Sequence, residues 1–88
     1  MKQDNRGARM EQMRAENPFL SNTEVVYRLI REDIVEHRMK PGQKINQEQL
    51  ADELNISRTP VRDALAILEN DGYLIKGAQG YVVYEMKI

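Results

Sequence analysis

Three stretches of the chain carry apolar residues at helical spacing, and a fourth switches to the alternation of strands. Val26, Leu29, Ile30 and Ile34 recur along one face, while Arg28, Arg31, Glu32 and Glu36 fill the other, the pattern of an amphipathic helix. Ser21-Asn22-Thr23-Glu24 has the Ser-x-x-Glu form of a capping box. Pro41 pushes the residue before it out of the helical region, so this helix is predicted from about Thr23 to about Arg38. Pro41-Gly42 reads as a turn and Gln43 to Ile45 as a short strand. Asn46, with Gln49 three residues on, caps a short second helix over Gln47 to Leu54, with a stripe of Leu50, Ala51 and Leu54. Asn55-Ile56 is a tight connection, because Asn tolerates the left-handed conformation. Ser57 then caps a third helix. Pro60 falls in its first turn, where a missing N–H has no intrahelical partner to lose. Val61, Ala64, Leu65 and Leu68 form its apolar stripe, and Asn70-Asp71-Gly72 stops it. Tyr73 to Lys76 and Tyr81 to Met86 are rich in aromatic and β-branched residues and flank Gly77-Ala78-Gln79-Gly80. They predict a β-hairpin with a four-residue loop.

The order helix, short strand, helix, tight turn, helix, hairpin is a winged helix-turn-helix: α+β, mainly α, with three helices and a C-terminal β-hairpin wing. It is expected over residues 21–88. Met1 to Leu20 contains Gly7, Asn17 and Pro18 and few apolar residues. Ala8 to Glu16 has helix-favouring composition, but 1–20 is expected to be a flexible, basic-leaning arm. At 88 residues the chain suits one domain with a small core. Its 41% hydrophobic and 31% charged residues fit a folded rather than a disordered chain. With no Cys, disulfides and thiolate metal sites are excluded. No apolar run approaches the ~20 residues needed to span a bilayer, and the first residues lack the apolar core of a secretory signal. A cytoplasmic protein without a membrane partner is expected.

The third helix carries the chemistry. Arg58 and Arg62 lie four apart and project side by side, and Ala66, a turn later, leaves that face slim. An arginine near a helix N-terminus opposes the helix dipole, so an anionic partner explains it better than local stability does. Ser57 and Thr59 stand at the same end, where hydroxyls and exposed N–H groups bind phosphate. Gln79 and Gly80, at the hairpin tip, suit close approach to a minor groove. Plainer readings exist for each: solvated arginines bridged to Asp63 or Glu69, capping by Ser57, and turn geometry for Gly80. The net charge of −1 weighs against a nucleic-acid surface. It implies weak unaided affinity that depends on two copies binding together. No enzyme reading assembles. His37 is the only histidine and lies on a charged helix face, and no phosphate loop or catalytic triad accompanies it. No catalytic residue, cofactor or metal is expected.

The run Leu50-Ala51-x-x-Leu54-x-Ile56-Ser57-Arg58-Thr59-Pro60-Val61-Arg62-Asp63-Ala64-Leu65-x-x-Leu68-Glu69-x-x-Gly72 closely resembles the DNA-binding domain of the GntR family of bacterial transcription regulators. Pro41-Gly42 and Gly80-Tyr81-x-Val83 fit the same family, so the likeness covers about Val26 to Val83. The resemblance implies that Arg58 and Arg62 contact bases and phosphates in the major groove of double-stranded DNA. It further implies that Thr59 contacts phosphate and that Gly80 approaches the minor groove. Ser-Arg-Thr-Pro-Val-Arg is most similar to the branch whose C-terminal domain is all-helical, called FCD. The family implies a palindromic operator, a homodimer in the full-length protein, and a small-molecule effector bound by a C-terminal domain that this chain lacks. Glu48 departs from the pattern, since some members carry an arginine on the second helix there. The rival function is a winged helix used for protein–protein contact, with its arginines facing an acidic partner.

Overall fold

The computed structural model describes residues 5–84. The elements run α1 (Arg6–Glu16), α2 (Asn22–Val35), β1 (Lys44–Ile45), α3 (Gln47–Leu54), α4 (Arg58–Asn70), β2 (Leu74–Gly77) and β3 (Gly80–Val83). The winged helix-turn-helix is present, with one helix more than the sequence pattern predicts. Three helices begin with the same bond, in which a side-chain oxygen accepts from the backbone N–H three residues on. Asn5 accepts from Ala8 at 3.1 Å, Ser21 from Glu24 at 3.1 Å, and Asn46 from Gln49 at 2.9 Å.

Val25, Val26, Leu29 and Ile30 of α2 share a buried cluster with Val61, Ala64, Leu65 and Leu68 of α4. Leu50, Ala51 and Leu54 of α3 and Ile45, Leu74, Tyr81 and Val83 of the sheet join the same cluster. The sheet is antiparallel in the order β1-β3-β2. Tyr81 faces Ile45 on one side and Lys76 on the other. Gly77 pairs with Gly80, so the hairpin loop is the two residues Ala78-Gln79 and not the four from 77 to 80. Both glycines belong to the ladder. Glu85 and Met86, expected in the last strand, lie outside the described residues.

The end of α2 also departs from expectation. The helix stops at Val35, well before Pro41, because His37 adopts φ 65°. The Arg38 N–H then donates to the Asp33 carbonyl at 2.8 Å, and the His37 N–H to Ile34 at 3.2 Å, which is the Schellman closure. The same closure ends α3 at Asn55, φ 60°, and α4 at Gly72, φ 92°. Asn and Gly enter that conformation readily, whereas another residue bears ~1–2 kcal/mol. At His37 the turn returns Met39 to the core at 2% exposure, and burial of such a side chain is worth ~1.5–3 kcal/mol. Packing therefore offsets the strain.

The expected mobile arm over 1–20 is corrected for the described part of it. Arg6–Glu16 is helical, and Met10 is fully buried in the common core, with Met13 packed against it. The helix is held by a buried carboxylate on α2. Asp33 has no solvent exposure and receives Arg6 Nε on Oδ2 at 2.6 Å. Arg9 and Arg38 face Oδ1 as ion pairs at 2.8 and 3.4 Å. Arg6 reaches on to Glu53 of α3, and Arg9 to Glu32. A buried charge is tolerated only when compensated in this way. On the far side of α2, the Tyr27 hydroxyl donates to Asp71 at 2.8 Å. That carboxylate, with partial burial second, raises the phenol above its ordinary pKa.

Candidate nucleic-acid interface

At α4 the capping bond is missing. Ser57 occupies the N-cap position with extended backbone, yet its hydroxyl makes no capping bond. The donor that the other three caps use, the N–H three residues on, is absent here because that residue is Pro60. The Ser57 hydroxyl is thus spared the structural task that Asn5, Ser21 and Asn46 perform. It remains exposed beside the first-turn N–H groups and the exposed Thr59. The expectation that Ser57 caps the helix by position holds, but its side chain does not carry it out.

Arg58 and Arg62 emerge from the first turns of α4 with side chains 64% and 62% exposed. They line an open groove between α4 and the wing, together with Glu48, Lys76, Gln79 and Gly80. Of the expected site residues, Arg58, Arg62, Gln79 and Gly80 share that groove. Ser57 and Thr59 stand at the exposed N-terminal end of α4, outside the lining. The arginines are held only loosely: Arg58 Nη1 is 4.0 Å from Glu48 Oε1, and Arg62 Nε is 3.7 Å from Asp63 Oδ1. Exposed pairs of this length contribute ~0–1 kcal/mol, so an incoming anion displaces them at little cost.

Gly80 has a structural reason of its own. Its φ is 146°, and a β-carbon there would sit 2.5 Å from the Ile45 carbonyl oxygen. The close approach is to β1 of the same chain, and it positions the loop at the groove. The exposed tip residues are Ala78 and Gln79. Lys76 is a groove residue that the sequence pattern did not single out. Its signal was a lone cation one residue from the first hairpin glycine. Among the described residues no group of three His, Cys, Asp or Glu is placed to hold a metal, and no helix is long and apolar enough to cross a membrane.

The model of the family described as "Bacterial regulatory proteins, gntR family" matches residues 22–83, from the start of α2 to the end of the wing. The chain belongs to the GntR family. Its winged helix-turn-helix is the family's domain, and the relatives are transcription regulators. An uncharacterized HTH-type transcriptional regulator, YdhC of Bacillus subtilis, is 42% identical over 48 residues, which is 54% of this chain and 21% of that protein. The GntR-family transcription factor YtrA of Sulfolobus acidocaldarius shares the fold with a TM-score of 0.73 at 24% identity, over 78% of this chain and 74% of its own. A GntR-family regulator from Pseudomonas syringae matches with a TM-score of 0.69 at 25% identity, over 97% of this chain and 39% of its own. That last likeness extends beyond the family match to take in α1. The chain spans about a fifth to a quarter of the length of the curated relatives it matches.

Proposed function

We propose that this GntR domain binds double-stranded DNA in a sequence-specific way as a binding module without a catalytic step. In this reading α4 lies in the major groove and the Ala78-Gln79 tip of the wing at the flanking minor groove. The observation that carries the reading is the groove itself. Two exposed arginines of α4 converge with Lys76 and the wing tip, and only long surface ion pairs restrain them. Recognition helices read base edges from their N-terminal residues, which is where Arg58 and Arg62 stand. The uncapped Ser57 hydroxyl and Thr59 are assigned to phosphate, which fixes register without reading sequence. Gly80 is assigned the placing of the tip.

Relatives described as transcription regulators support a cytoplasmic role in transcription regulation. The Ser57–Arg62 signature favours the FCD branch. A palindromic operator bound by two copies, with an effector held by a domain outside this chain, completes the proposal. The near-neutral charge favours one rival, a protein-binding winged helix, and salt separates the two. Release of counterions from phosphates gives a steep fall of affinity with salt.

The test is selection of bound sequences from a random duplex library, followed by alanine variants at two salt concentrations. Arg62→Ala is expected to lose preference at one base pair per half-site, worth ~1–3 kcal/mol. Arg58→Ala is expected to weaken binding with mixed loss of specificity and a salt slope lower by about one. Neither side chain is in the core, so circular dichroism should be unchanged. Folded variants that keep parental affinity for the selected operator would remove α4 as the reading element.

A further inference from the structure

Glu48 stands in the first turn of α3, 68% exposed, with Oε1 4.0 Å from Nη1 of Arg58. It lines the same groove as Arg62, Lys76 and Gln79. An acid in a first helical turn suits the helix dipole, but the dipole is served equally from any face of that turn. It gives no reason for the carboxylate to stand on the groove face beside an arginine of α4. If that face meets phosphates, the charge is repelled. If it meets base edges, the donor and acceptor pattern of the major groove decides what it can bind. Guanine offers N7 and O6, both acceptors, and thymine offers the O4 acceptor. Adenine offers the N6 donor, but beside the N7 acceptor, whose lone pair opposes a carboxylate. Cytosine offers the N4 donor with an acceptor on one side only, O6 of its paired guanine, whereas adenine N6 lies between two acceptors, its own N7 and thymine O4.

We infer that Glu48 is a specificity-determining residue that accepts a hydrogen bond from the N4 amino group of a cytosine, within one base step of the base read by Arg58. The inference rests on the DNA-binding reading above. Nη1 of Arg58 and Oε1 of Glu48 lie 4.0 Å apart and both residues line one groove, so the two side chains reach the same short stretch of base edges. An arginine and a carboxylate in this arrangement address neighbouring positions without either leaving its helix. The Arg58–Glu48 pair then has a second consequence. On DNA of the wrong sequence the carboxylate faces an acceptor, so Glu48 lowers affinity for unrelated duplexes as well as rewarding the right one.

Selection from a random duplex library with the 88-residue chain and with Glu48→Gln and Glu48→Ala tests this, with circular dichroism as the folding control. The parent is expected to enrich cytosine at one position per half-site by roughly tenfold over other bases, within the range of a good base contact. Glu48→Gln is expected to shift that position toward adenine, since an amide pairs with N6 and N7 together. Glu48→Ala is expected to lose the preference, and both variants should bind scrambled duplexes more tightly than the parent does. Variants that bind all duplexes more tightly with the parental base preference intact would overturn the inference and leave Glu48 as a counter-charge to Arg58. A parent that enriches no sequence, with Glu48 variants that bind no duplex either, would instead remove the DNA-binding reading and the inference with it.

Discussion

Gly80 illustrates how one residue type answers two questions. Its φ of 146° and the 2.5 Å that would separate a β-carbon from the Ile45 carbonyl make glycine a requirement of the sheet, whatever the wing touches. Gly80→Ala is therefore expected to destabilise the domain by roughly 1–3 kcal/mol through backbone strain, seen as a lower urea midpoint at unchanged m-value. Parental stability of the alanine variant would show that β1 yields to the methyl group. Any loss of DNA binding on changing Gly80 has to be read against this loss of fold, and Gln79 at the tip is the cleaner probe of the wing. Ser57 is the complementary case. Its hydroxyl makes no capping bond, with a proline three residues on where the other caps find an N–H, and both residues are visible in the sequence.

At the scale of elements, α1 is the main departure. Its amino acids favour a helix but show no wide apolar stripe, and an isolated helix of 11 residues is marginal in water. Docking decides it. Met10 enters the core, and Arg6 and Arg9 close on Asp33 of α2. Met10→Ala is expected to lower stability by ~2–5 kcal/mol, the usual range for a buried methionine, measured by thermal or urea unfolding. A change below half a kcal/mol would restore the picture of a loose arm. The docking also alters the function argument. Arg6 and Arg9, two of the cations that made the N-terminal segment look like a basic arm, are engaged with Asp33, Glu32 and Glu53, which favours the proposed contact through α4 and the wing.

For the whole molecule, the net charge of −1 is distributed so that Arg58, Arg62 and Lys76 share one groove. Among the described residues the exposed large apolar side chains form no broad face: Phe19 precedes α2, Ile67 is on α4 and Ile75 on β2, and only Val35 and Tyr84 come together, at one small hollow beside Tyr73. This chain is accordingly expected to sediment as a monomer. Linking two copies should tighten operator binding by about 10²–10⁴-fold through effective concentration, and a tight dimer of the unlinked chain would contradict this. The three later helices, the stops at Asn55 and Gly72, and the pair Arg58 and Arg62 could all be read from sequence, because periodicity, caps and turn chemistry are local properties. Burial of Asp33, docking of α1, the left-handed turn at His37 and the two-residue hairpin loop could not. Each depends on which distant surface arrives: three arginines for a carboxylate, a core for Met10 and Met39, and the Ile45 carbonyl against Gly80. The groove where Glu48 meets Arg58 is of the same kind, since two side chains ten residues apart become neighbours only when α3 and α4 are packed.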